Sequence, residues 1–97
     1  MTKRELVAKH RNAILALAEK HGISHVRLFG SVARGDERED SDVDFVVRRV
    51  PGSDPFLILD FKEELSGLLG CKVDVIAEQP LMKQRLRNHI LSDAVAV

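Results

Sequence analysis

Three aspartates and one Gly-Ser pair carry the chemistry legible in this chain. Asp42 and Asp44 alternate into the apolar run "VDFVV", and Asp74 does the same in "CKVDVIAE". Side chains two apart on a strand share a face. Asp42 and Asp44 therefore point together, away from Val43, Phe45 and Val47. If Val73 and Val75 also turn to the core, Asp74 joins them from another strand. Three ionised carboxylates brought close repel one another, and each is costly to desolvate unpaired. A divalent cation removes that objection. Hard oxygen ligands select Mg²⁺ or Mn²⁺ over zinc. His10, His21, His25 and His89 share no ligand spacing that would compete.

Gly30-Ser31 supplies the second half of the expected site. It lies in "LFGSVARG", where a strand ends and "SVARG" can begin a short helix. Glycine lets backbone approach a ligand closely, and the first N–H groups of a helix have no partner within it. With the Ser31 hydroxyl these make a seat for phosphate. The G-x-x-x-x-G-K-[ST] spacing of a P-loop is absent. Arg34 has two readings that the sequence leaves open, a charge-assisted bond to the same phosphates or an ion pair with the acidic loop. A phosphate seat beside paired divalent metals is the equipment of nucleotidyl transfer.

The elements that must hold these groups read as α-β-(short helix)-β-α-β-α. Thr2 and Glu5 fit a capping box, and Val7, Arg11, Ile14, Leu17 and Ala18 follow helical spacing to a stop at Gly22. "SHVRLFG" alternates Val26 and Leu28 against His25 and Arg27, the period of a half-buried strand. Residues 43 to 49 predict a second strand, antiparallel or mixed with the first because the connection is short. Asp54 as N-cap and Pro55 at the first helical position predict a helix through Leu65, Leu68 and Leu69 to Gly70. A third strand carries Asp74. A last helix starts at Pro80 with a Met82, Leu86, Ile90 stripe. The stripe Leu57, Leu65, Leu68 reads as core. The fold class expected is α/β (α+β), a small mixed sheet with helices packed on one face.

Composition bounds the rest. At 97 residues the chain reads as one small domain, 1–97. Lys+Arg and Asp+Glu both total 15, so no overall field draws it to nucleic acid or anionic lipid. With no Trp or Tyr and four Phe, stacking platforms for single strands are poorly supplied. The single Cys71 excludes an internal disulfide, and no apolar run suits a membrane span or a signal peptide, so a cytoplasmic location is expected.

Gly30-Ser31, ten residues, then Asp42-x-Asp44, with Arg34-Gly35 between and Asp74 on a later strand, resembles the polymerase-β-like nucleotidyltransferase superfamily. In its length the chain resembles the minimal form, the MNT proteins. G-S-x(10)-D-x-D arises by chance in about one chain in a thousand of this length at ordinary residue usage. The resemblance covers residues 25 to 77 closely. It implies Asp42 and Asp44 as metal ligands, and Asp74 as third ligand and acceptor of the nucleophile's proton. It implies Gly30 and Ser31 as holders of the triphosphate, with two Mg²⁺ ions (or Mn²⁺) and ATP as substrate. Minimal members pair with HEPN proteins, ribonuclease toxins, and act as antitoxins by moving AMP onto a toxin tyrosine or by complex formation. A small-molecule or RNA acceptor is the remaining alternative, and homo- or hetero-oligomers stay open.

The blander readings account for other residues. A polar hairpin whose aspartates cap turns explains neither the strand-borne Asp44 nor Asp74. Asp36 and Asp40 read as a solvated loop, and Lys83, Arg85 and Arg87 as a solvated helix face. Cys71 reads as a small buried residue. The closing "AVAV" is an edge strand or part of a partner interface.

Overall fold

Thr2 opens the first helix as expected: its hydroxyl accepts from the Glu5 N–H while the Glu5 side chain accepts from the Thr2 N–H. This computed structural model describes residues 2–36, 38, 40–78 and 83–97. The helical stretch to Gly22 is two helices, α1 (Lys3–Lys9) and α2 (Arg11–Lys20), parted at His10. His10 sits at φ −99 and ψ 15, off helical values, while its carbonyl still accepts from Ile14 N–H. The break turns Val7, Ile14 and Ala18 onto one core.

The strands are β1 (Ile23–Phe29), β2 (Val43–Arg49), β3 (Val73–Ala77) and β4 (Val95–Ala96), in spatial order β3-β2-β1-β4. β1 pairs antiparallel with β2 and with β4, and β2 pairs parallel with β3. The closing apolar residues thus form an edge strand. The helix α3 (Gly30–Arg34) links β1 to β2.

The helix α4 (Leu57–Leu69) begins two residues beyond the predicted Pro55. Asp54 still serves its start, because Oδ1 accepts the Phe56 N–H at 2.9 Å. Gly70 closes it at φ 67, in the left-handed region. The last helix, α5 (Gln84–Asp93), buries Ile90 but leaves Leu86 51% exposed, so the predicted stripe is only partly inward. Pro80 and Met82 lie outside the described residues.

Alternation then does the sorting. Val26 and Leu28 of β1, Val43, Phe45 and Val47 of β2, and Val73 of β3 meet Val7, Ile14 and Ala18 from α1 and α2 and Phe61, Leu65 and Leu69 from α4. Leu68 packs at the edge of this core. Phe45 and Phe61 are fully enclosed, and truncating either to Ala would cost about 3–5 kcal/mol. Helices cover this face, as expected. The opposite face buries Val46 of β2 and carries polar groups toward the ends of the strands.

Candidate active site

The register brings the predicted residues to one end of the sheet. Asp44 is paired with Phe29 across β1 and with Asp74 across β3. Neighbouring strands lie about 4.8 Å apart. Asp44 therefore has the Gly30 turn on one flank and Asp74 on the other, and Asp42 precedes the strand by one residue. Val32 and Ala33 are buried, which pins the single turn of α3 to the core. Gly30 has φ 75, and a Cβ there would stand 2.6 Å from Asp44 Oδ2. Both the backbone and the carboxylate exclude any larger residue. Ser31 follows, half-buried, in the first turn of α3.

Burial pushes the Asp44 carboxyl above the usual carboxylate range, and the negative charges of Asp74 and Asp42 push it further; Arg34 opposes them. Asp44 thus feels the other two carboxylates, but the three do not close on a common point. Among the described residues no three His, Cys, Asp or Glu side chains are gathered tightly enough to hold a metal as they stand. Asp74 Oδ1 accepts the Val75 N–H at 3.0 Å and lies 3.7 Å from Lys62 Nζ. Asp42 and Asp74, both exposed, open onto a cavity of about 530 Å³ whose other walls include Leu59, Lys62, Glu63 and Lys72. The donor set fits a hard divalent cation: all oxygen, mutually repelling, with a raised carboxyl that such a charge would lower again.

Arg34 takes the ion-pair reading here. Its Nε lies 3.2 Å from Asp36 and its Nη1 2.8 Å from Asp93 of α5. A phosphate contact requires leaving both. Asp36 and Asp40 are exposed, as a solvated loop should be.

Two features escaped sequence reasoning. Glu78, directly after β3, accepts from Arg48 Nε at 2.8 Å and Arg27 Nη2 at 2.9 Å. Arg87 of α5 stands 2.9 Å from its other oxygen without the alignment of a hydrogen bond. Arg87 is therefore not the solvated residue expected. The signal was present: Arg27, Arg48 and Glu78 all fall on the face shared with Asp44 and Asp74 by the two-residue period. The second feature is buried His21, whose Nε2 lies 2.6 Å from Glu64 Oε2 and whose Nδ1 lies 2.8 Å from the Leu17 carbonyl. Only the tertiary fold brings α2 and α4 together, so no sequence pattern announces that pair.

The sequence profile of the nucleotidyltransferase domain matches residues 10–97. The chain belongs to that family. The match extends beyond the region from 25 to 77 in which the motif resemblance is close. This nucleotidyltransferase is similar to the protein adenylyltransferase MntA of Thermococcus cleftensis, with 36% identity over 83 residues, 84% of this chain and 81% of the relative. It is also similar to a solved structure provisionally described as a minimal nucleotidyltransferase, with TM-score 0.84, 42% identity, and coverage of 100% of this chain and 97% of that one. A third similarity is to tri-AMPylated Shewanella oneidensis HEPN toxin in complex with MNT antitoxin, with TM-score 0.66 over 92% of this chain and 69% of that one. At 18% identity that likeness shows the fold alone. The minimal-nucleotidyltransferase resemblance read from Gly30-Ser31 and Asp42-x-Asp44 is borne out, and the mixed four-stranded sheet with it. Among the described residues no helix is long and apolar enough to cross a membrane.

Proposed function

We propose that this nucleotidyltransferase moves AMP from ATP to a hydroxyl, that of a tyrosine, on a HEPN-type toxin and so acts as its antitoxin. The observation that carries the reading is Gly30 packed against Asp44, with Asp74 in register beside it. The relative named as a protein adenylyltransferase and the toxin–antitoxin fold neighbour support the acceptor class.

In this reading Gly30 and Ser31 receive the triphosphate tail, where backbone can approach closely and Ser31 donates. Asp42, Asp44 and Asp74 would hold Mg²⁺, two ions or Mn²⁺ in their place, which when bound neutralises phosphate charge and eases loss of the hydroxyl proton. Asp74 leaves its Val75 N–H and takes that proton. The hydroxyl oxygen forms the new P–O bond at the α-phosphorus, the bond to the β-phosphate bridging oxygen breaks, and its electron pair leaves with pyrophosphate. Arg34 exchanges Asp36 and Asp93 for phosphate oxygens.

Incubating the protein with ATP, Mg²⁺ and a HEPN-type protein from the same genome should raise that partner's mass by whole AMP units, shown by intact-mass spectrometry. An unchanged partner mass refutes the transfer. A protein with Asp42→Asn and Asp44→Asn that still protects cells fully would show that antitoxin action is occlusion and not catalysis.

A further inference from the structure

The cavity beside the carboxylates and the Gly30-Ser31 seat lie on opposite flanks of Asp44. The seat adjoins Asp44 from the β1 side, where a Gly30 Cβ would meet Asp44 Oδ2. The cavity opens on the β3 side and is walled by Asp42 and Asp74 together with Leu59, Lys62, Glu63 and Lys72. Gly30, Ser31 and Asp44 contribute nothing to that wall. In-line displacement needs the attacking and leaving oxygens on opposite sides of phosphorus. With pyrophosphate departing over the seat, the attacking hydroxyl has to enter from the cavity.

We infer that this cavity is the acceptor subsite, that it receives a hydroxyl-bearing side chain from a partner polypeptide, and that Leu59, Lys62 and Glu63 of α4 set its specificity. The inference rests on the transferase reading above. The hydroxyl oxygen bonds to phosphorus on the cavity side, its proton passes to Asp74, and the bond to pyrophosphate breaks on the seat side.

Two observations fix the class of occupant. At about 530 Å³ the cavity has the size of a side-chain or small-ligand site. Leu59 is 63% exposed at its rim and Phe56, three residues earlier on α4's approach, is 73% exposed, an apolar ledge that suits protein contact. Lys62 has a further part. Its ammonium lies by Asp74 Oδ1 and helps hold that carboxylate toward the Val75 N–H, on the cavity side. It is a positioning residue for the proton acceptor, and an arriving partner carboxylate or carbonyl would draw it off.

Lysine acetylation footprinting tests this, with transfer read by mass in the same samples. The probes are that HEPN-type protein, a non-hydrolysable ATP analogue, and a single-stranded oligonucleotide with a free 3′-hydroxyl. The HEPN-type protein should slow acetylation of Lys62 and Lys72 several-fold, the ATP analogue should not, and the partner should gain AMP when ATP is supplied. AMP transfer without protection of these lysines overturns the subsite and leaves the transferase reading intact. Protection without transfer overturns the transferase reading and keeps the cavity as the partner's seat. Neither effect overturns both, and protection or labelling of the oligonucleotide alone overturns the polypeptide assignment. In the transferring protein, exposed Leu59→Asp should raise KM for the partner about tenfold while ATP affinity holds. An unchanged partner KM contradicts the specificity role.

Discussion

Two groups of charge share one face of this sheet, about 13 Å apart along β2, and they are built on opposite plans. At one end Asp44 meets Asp74 and Asp42, and its carboxyl is pushed up by burial and by their charge. At the other end Glu78, with its side chain 5% exposed, is held by Arg48 and Arg27 and faced by Arg87. The Arg48 and Arg27 hydrogen bonds pull its carboxyl down to about 2. Glu78 is neutralised by the chain itself and joins β1, β2, β3 and α5. The aspartates are left short of cation. The chain surrounds one carboxylate with guanidinium groups and, four residues away, leaves three others without such neutralisation.

Substitutions at each end should separate chemistry from stability. The largest effect is expected at Asp44. Asp44→Asn should lower AMP transfer at least about a hundredfold, since positioning phosphate charge contributes several kcal/mol. The same variant should melt higher than wild type at neutral pH without metal, because a desolvated and repelled charge is gone. Glu78→Gln should do the reverse. It strands Arg27, Arg48 and Arg87, and should cost about 2–3 kcal/mol of stability, less than a fully buried pair because Arg48 and Arg87 are 48% and 40% exposed. Transfer per folded molecule should hold. Chemical denaturation and single-turnover transfer read the two effects separately.

Gly30→Ala should come next, at about 1–2 kcal/mol for the left-handed backbone, with transfer lost as the new Cβ displaces Asp44. The smallest effect is in pH dependence, and it has opposite signs at the two ends. Glu78 has its carboxyl depressed, so its stabilisation is present above pH 4.5 and is lost as pH falls toward 2. Asp44 has its carboxyl raised, so its protonated form is favoured by folding below 3.8 and that advantage is lost as pH rises. In metal-free protein the gain from Asp44→Asn should therefore grow from acid to neutral pH, while the loss from Glu78→Gln should shrink toward acid. Thermal melts across that range decide it, and parallel curves would contradict the contrast.

What could be read from the sequence was whatever local period or local sterics controls. Val43, Phe45 and Val47 alternate, so their burial and the placement of Asp44 followed at once. Gly30 and Gly70 announced a turn and a cap because only glycine adopts those conformations easily. The Asp44–Asp74 register could be expected only as far as two strands being neighbours; the parallel pairing set it. The two-residue period put Arg27, Arg48 and Glu78 on one face without saying that they meet, while Lys62 beside Asp74 joins α4 to β3 and His21 with Glu64 joins α2 to α4, and no local pattern encodes those meetings. The break at His10 was hidden because the apolar spacing continues through it.

The central claim is that the aspartate end is left with uncompensated negative charge and the glutamate end is not. Titrating Mn²⁺ into the ATP-bound protein, followed by the loss of free-ion electron paramagnetic resonance signal, tests it directly. Wild type and Glu78→Gln should take up Mn²⁺ alike beyond what ATP alone binds, and Asp44→Asn should lose that excess. Uptake by Asp44→Asn equal to wild type would contradict the account.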